Sequence, residues 1–288
     1  MTPVNFRKAC ESVRLVSVHG GHSGEFCTHA RDRLEDIVAT YIKRGFSWVG
    51  ITEHMPPAED RFRYPDEIEC GLSAEDLYRR FSCYFKTCRS LQARYAPTIR
   101  ICVGFETETY TGSLPFVRHL METFTPDYVV GSVHHVNDIN FDFDEAHYRQ
   151  AARAAGDVDG LYLRYFDLQY EMLAALKPAV VGHFDLIRLH DPDYRSRLEK
   201  PAIRKKIRRN LQLIQSEGLI LDLNMRALTK GSSEPYVSGT ILREALGMGL
   251  RVIPGDDSHG VATAGFGIEE GIALLTRFGF DTNWALPA

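Results

Sequence analysis

Ser47-Trp-Val-Gly-Ile-Thr-Glu-His54 is a short apolar run that breaks into three polar residues, and the pattern recurs along the chain. A run of this length reads as a strand buried on both faces. Just upstream, Leu34, Ile37, Val38, Tyr41 and Ile42 repeat at the 3.6-residue period of a helix, with Arg44-Gly45 as its stop. Six further runs have the same character: Val13–Val18, Ile99–Phe105, Tyr128–Val133, Ala179–Gly182, Leu219–Leu223 and Arg251–Pro254. Helical patterns lie between most of them. Leu161, Tyr165, Leu168 and Met172 repeat before Lys177-Pro178, and Leu242, Ala245 and Leu246 before Gly247. Strands alternating with helices predict parallel pairing through helical crossovers. Seven or eight such units suggest an α/β chain folded as a TIM-like barrel, with a doubly wound open sheet as the alternative that periodicity leaves open.

Composition fits one globular domain over residues 1–288, with 44% hydrophobic and 25% charged residues and no linker-like tract. No apolar run approaches the roughly 20 residues of a membrane span. The opening MTPVNFRKACESVRL lacks the apolar stretch of a signal peptide. Cysteines 10, 27, 70, 83, 88 and 102 are irregularly spaced, which reads as reduced thiols in the cytoplasm rather than a disulfide framework. The net charge of −4 offers no general attraction to nucleic acid or membrane. The basic stretch from Lys200 to Asn210 is read as a solvated helix face, because Ile203, Ile207, Leu211 and Ile214 share helical spacing.

The runs lead into a distinctive set of residues. The first precedes His19-Gly-Gly-His22 and Cys27-Thr-His29, and the second ends in Thr52-Glu53-His54. Four of the other five lead to Gly104-Phe-Glu106, His134-His135, Gly182-His183-Phe-Asp185 and Asp256-Asp257-Ser-His259. The C-terminal ends of barrel strands are where active-site loops converge. Imidazoles and carboxylates gathered there are ligands for Zn, Mn or Fe. His19, His22, His29, His54, Glu106, His134, His183, Asp257 and His259 make nine candidates. A catalytic zinc typically uses three protein ligands, so nine suit two or three divalent ions. Such a site suits phosphoester hydrolysis, because metals neutralise phosphate oxygens, acidify water and stabilise the leaving alkoxide. Side-chain alternation places Asp257 and His259 on one side and Asp256 on the other. It leaves Glu106 and Glu108 on one face, undecided, and allows only one of His134 and His135 into the site.

These residues resemble the polymerase-and-histidinol-phosphatase (PHP) superfamily, and closely its histidinol-phosphatase branch. The likeness rests on HSGEFCTHA (22–30), ITEHMP (51–56), GFETE (104–108), GSVHH (131–135), VVGHFDLIRLH (180–190), LDLNMRALTKGSSEPY (221–236) and GDDSHG (255–260). It implies a distorted (β/α)₇ barrel with a trinuclear site and hydrolysis of L-histidinol phosphate to L-histidinol and phosphate. It also implies metal ligation by His22, His29, His54, Glu106, His134, His183, Asp257 and His259, with Glu106 as the bridging carboxylate. One departure stands out. The family's first motif is His-x-His, but Gly20 holds the first histidine position and the nearest histidine is His19. The glycines permit φ > 0 or a bulge that brings His19 round.

Arg188, and then Lys230, are the candidate phosphate-binding cations. Glu53, Asp185 and Asn224 are candidate acceptors for the substrate's imidazole and ammonium, and Asp257 or His259 a candidate proton source for the leaving oxygen. Three rivals are weighed. A phosphoesterase acting on nucleotides or oligonucleotide ends should place basic residues beside these motifs. A metal-dependent amidohydrolase should show a lysine at a strand end. A closed metal-binding module would leave no ligand position for substrate.

Overall fold

The expected strands appear as a seven-stranded parallel sheet in a computed structural model that describes residues 14–287. Val13, Cys10 and most of the opening segment lie outside the described residues. The strands are β1 (Val16–Ser17), β2 (Trp48–Ile51), β3 (Arg100–Glu106), β4 (Tyr128–Gly131), β7 (Val180–Val181), β8 (Ile220–Asn224) and β9 (Arg251–Gly255). A two-stranded antiparallel hairpin, β5 (His135–Val136) and β6 (Ile139–Asn140), stands outside the barrel sheet. The sheet runs β1-β2-β3-β4-β7-β8-β9. Its two edges meet through the Val18 N–H donating to the Pro254 carbonyl at 3.0 Å. The sheet therefore curls into a seven-stranded, nearly closed barrel in one domain, and the open doubly wound alternative falls.

β1 and β7 are shorter than their apolar runs suggest. The chain leaves the ladder early there to turn side chains inward, and His183, just after β7, takes φ 22°. Helices wrap the outside. Leu34–Lys43 buries Leu34, Ile37, Val38 and Tyr41, then stops at Gly45 with φ 79°. Pro201–Glu217 buries Ile203, Ile207, Leu211 and Ile214, while Lys206 and Arg209 pair with Asp167 and Arg208 with Glu244. The basic stretch is therefore an outer helix face already matched by acids. The hairpin was not legible as strands. Its turn, Asn137-Asp138, places both residues at positive φ (52° and 61°), the twist a tight two-residue hairpin turn requires.

Candidate metal centre

Glu106, the last residue of β3, occupies the middle of the barrel mouth and is 1% exposed. Its Oε1 lies 2.7 Å from His183 Nε2 and 3.3 Å from His134 Nε2. Its Oε2 lies 3.3 Å from His19 Nε2, 3.4 Å from His54 Nδ1 and 4.0 Å from His22 Nε2. Asp257 adds a carboxylate oxygen 3.2 Å from His22 Nε2. The donor atoms group as His22, His54 and His259; as His19, His183 and Asp257; as His19, His22 and Glu106; and as His54, Glu106 and His134, each group within 4.8 Å.

This arrangement fits divalent metal. Buried polar atoms normally have hydrogen-bond partners. Yet among the described residues His19 Nε2, His22 Nε2, His54 Nδ1 and His183 Nδ1 are buried without a well-aligned hydrogen bond, although carboxylate oxygens lie 3.2 to 3.4 Å from the first three. The electrostatics point the same way. Burial alone would raise the Glu106 carboxyl, but His19, His134, His54 and His183 hold it well below the usual range. Burial likewise opposes ionisation of Asp257, and His19 and His22 overcome it. Burial disfavours charge on His22, yet Asp257 and Glu53 raise it to about 9. Burial dominates at His54 and His259, which are lowered. Cations are in demand at this centre, and metal binding would displace the protons that otherwise balance it.

The position of His19 has a local cause. A Cβ on Gly20 would sit 2.2 Å from the Gly50 carbonyl oxygen, and one on Gly21 would sit 2.6 Å from Ile37 Cγ2. Neither glycine has positive φ. Space rather than a left-handed turn requires the Gly-Gly pair, so of the two routes expected, positive φ or a bulge, the first is not used. A histidine at position 20 would be driven into the wall of β2. His19, one residue earlier, instead reaches Glu106, and its Nδ1 hydrogen-bonds Asp222 Oδ2 at 2.9 Å. Asp222 went unnoticed in the sequence because it sits inside an apolar strand. Partners that orient ligating histidines typically govern affinity by 10- to 100-fold. Asp222→Asn should therefore lower metal affinity by about that range while leaving the unfolding transition cooperative, as titration of the metal-free protein would show.

Neighbouring candidates separate clearly. Glu108 lies behind Glu106, accepting from Tyr64 Oη at 2.8 Å and lying 3.0 Å from His134 Nδ1. His134 lines the cavity, whereas His135 is buried with its Nδ1 3.3 Å from Glu108. Asp256 accepts from the Ser17 and Tyr41 hydroxyls and the Gly265 N–H, away from the centre. Asp257 has φ 44°, so the chain is turned rather than extended there, though both Asp257 and His259 border the cavity. His29 lies at the rim. Its ring is 5.1 Å from that of His54 and 5.2 Å from that of His259, and its Nε2 is 3.1 Å from Cys27 Sγ.

The expected substrate contacts need revision. Arg188 is 3% exposed and its donors are spent on Ser232 Oγ and the Glu234 and Pro235 carbonyls, with Asp185 3.3 Å from its Nε. Asp185 also accepts the Ser238 N–H. Glu53 holds His22 Nδ1 and the Ser23 N–H, and Asn224 donates to Asp222 and Asp257. These four residues brace the mouth from beneath and do not line the cavity. Lys230 does line it, together with Arg226, which sequence reasoning overlooked although it stands within the quoted LDLNMRAL stretch. The cavity holds about 220 Å³. Neither Arg226 nor Lys230 forms an ion pair among the described residues.

A family model described as "PHP domain" matches residues 20–226. A probable histidinol-phosphatase of Schizosaccharomyces pombe is 34% identical over 93% of this chain and 88% of its own length. The histidinol-phosphatase of Saccharomyces cerevisiae is 33% identical, covering 86% of this chain and 84% of its own. A solved histidinol phosphate phosphatase from Lactococcus lactis subsp. lactis, complexed with zinc, L-histidinol and phosphate, superposes with a TM-score of 0.69. That likeness covers 94% of this chain and 95% of the other at 19% identity, and so speaks for the fold. With the family model spanning most of the chain and two relatives above 30% identity, this protein belongs to the PHP domain family.

Proposed function

We propose that this chain is a metal-dependent phosphoric monoester hydrolase that converts L-histidinol phosphate and water to L-histidinol and phosphate, a cytoplasmic step of histidine biosynthesis. The observation that carries the reading is the convergence of histidines on Glu106 beside a cavity bordered by Arg226 and Lys230, which form no ion pair among the described residues. The named activity of the two fungal relatives supports the substrate. The described cysteines are all free, as a reducing compartment would leave them.

In this reading His19, His22, His54, His134, His183, His259, Glu106 and Asp257 hold two or three divalent ions, with His29 completing the set from the rim. Bound ions would neutralise phosphate oxygens and lower the pKa of the attacking water. Glu106 is placed to serve two sites at once, because its two oxygens face different histidines. Arg226 and Lys230 pair with phosphate oxygens as charge spreads over them in the transition state. The Arg226 N–H donates to Asn224 Oδ1 at 3.0 Å, which ties that cation's backbone to the bracing network. Asp257 and His259 border the cavity, and in this reading one of them supplies the proton to the departing oxygen.

The purified protein should carry more than one metal per chain by elemental analysis and release phosphate from L-histidinol phosphate. Verified removal of metal should abolish release, and readdition should restore it. Full turnover without metal, or a preference for mononucleotides or short RNA over histidinol phosphate, would overturn the reading.

Lys230→Ala should raise KM for the phosphate ester by about 10-fold, the scale of one charge-assisted contact at a partly wet site. Steady-state kinetics at saturating metal would check it. An unchanged KM would leave phosphate to Arg226 alone.

A further inference from the structure

The metal centre and the two cations account for the phosphate end of a substrate, but not for everything that lines the cavity. Three carboxylates border it: Glu106, Asp257 and Asp142. The first two are enclosed by histidines. Asp142 forms no ion pair among the described residues, and its Oδ1 is buried without a hydrogen-bond partner. A free carboxylate facing a site for a phosphate dianion is a liability unless the ligand brings a cation to meet it.

The segment that carries Asp142 is firmly mounted. Phe141 is fully buried, packs edge-on against Tyr165 at 5.7 Å and donates its N–H to the His134 carbonyl at 3.1 Å. Asp144 caps the helix Glu145–Ala154 by accepting the His147 N–H. The hairpin β5–β6 just before it is pinned at its tip, where Asp138 accepts the Thr111 N–H at 2.7 Å. Between these anchors, Asp142 and the 40%-exposed Phe143 are held at the cavity wall. An anion and an apolar ring thus stand side by side, on a different segment from Arg226 and Lys230.

We infer that Asp142 is the specificity-determining acceptor for the substrate's ammonium group, with Phe143 stacking against its imidazole ring. The inference rests on the reading of the site as a histidinol-phosphatase. It makes the pocket selective for phosphomonoesters whose alcohol carries a positive charge, and unfavourable to those whose alcohol is neutral or anionic.

The test compares the metal-loaded wild type with Asp142→Asn on L-histidinol phosphate and on 4-nitrophenyl phosphate, whose leaving group bears no cation. The ratio of kcat/KM for the first over the second should fall about 10- to 100-fold in the variant, the scale of one charge-assisted hydrogen bond. Inhibition by the product L-histidinol should weaken by a similar factor, while inhibition by inorganic phosphate weakens far less. Metal content and the unfolding midpoint of the variant exclude a folding defect. A parallel loss on both substrates, or an unchanged ratio, overturns the inference. A wild type with no preference for histidinol phosphate overturns the functional reading itself, whereas a wild-type preference that survives the substitution sinks only the role of Asp142.

Discussion

Glu106→Gln should lower turnover on L-histidinol phosphate by at least about 100-fold and reduce metal content at the same time. Losing a partner that merely orients a ligand typically costs 10- to 100-fold, and Glu106 is more central than that. Its two oxygens lie within 4.0 Å of nitrogens from five histidines, and among the described residues it is the only anion placed between them all. An amide keeps the shape but removes the charge and turns one acceptor into a donor facing ring nitrogens. Elemental analysis and steady-state kinetics on the same preparation would check the expectation. A variant with wild-type metal content and rate would move the central role to Glu108.

Arg188→Ala should destabilise the fold by about 3–5 kcal/mol, the usual cost of breaking a buried ion pair by removing one partner. Asp185 would be left fully buried with its charge uncompensated, and the Glu234 and Pro235 carbonyls would lose their donor. The guanidinium also lies over the rings of Tyr194 and Tyr236, at 4.8 and 4.5 Å, so its removal opens space as well. Denaturant unfolding of the variant would measure the loss. A phosphate-binding arginine would behave oppositely, with a large rise in KM and little change in stability.

These two residues show what could be read in advance. Glu106 was legible because an apolar strand ends on it, and every barrel strand delivers its last residues to the same mouth. The seven strands were legible for the same reason: a strand covered on both faces must be apolar throughout. Arg188 misled because it follows a strand end that carries a candidate ligand, His183. A short turn of 3-10 helix, Leu186–Arg188, carries its side chain into the packed interior instead. Asp222 was hidden by the opposite effect, since its partner His19 is remote in sequence and no local spacing links them. Arg226 and Asp142 were missed because each reaches the cavity from a segment just beyond a strand, where direction depends on turns that apolar periodicity does not report. The two-residue strands of the hairpin are too short to show alternation. His19 was the doubtful member on sequence grounds, and the steric wall at Gly20 supplies a reason for its shift.

The join between the first and last barrel strands has a consequence for how the molecule holds itself together. β1 contributes only two residues to the sheet, yet backbone bonds continue past it: Val18 to Pro254, Asp257 to His19, His22 to Ser258 and Arg31 to His259. Metal-site candidates thus sit on both sides of a single seam, His19 and His22 on one lip and Asp257 and His259 on the other. An ion held from both lips would work as a clasp, so that closing the barrel and assembling the centre would become one event. The first and last barrel strands would then be tethered most tightly when the centre is loaded, and the amides of Val18, His22 and Asp257 would loosen when it is emptied.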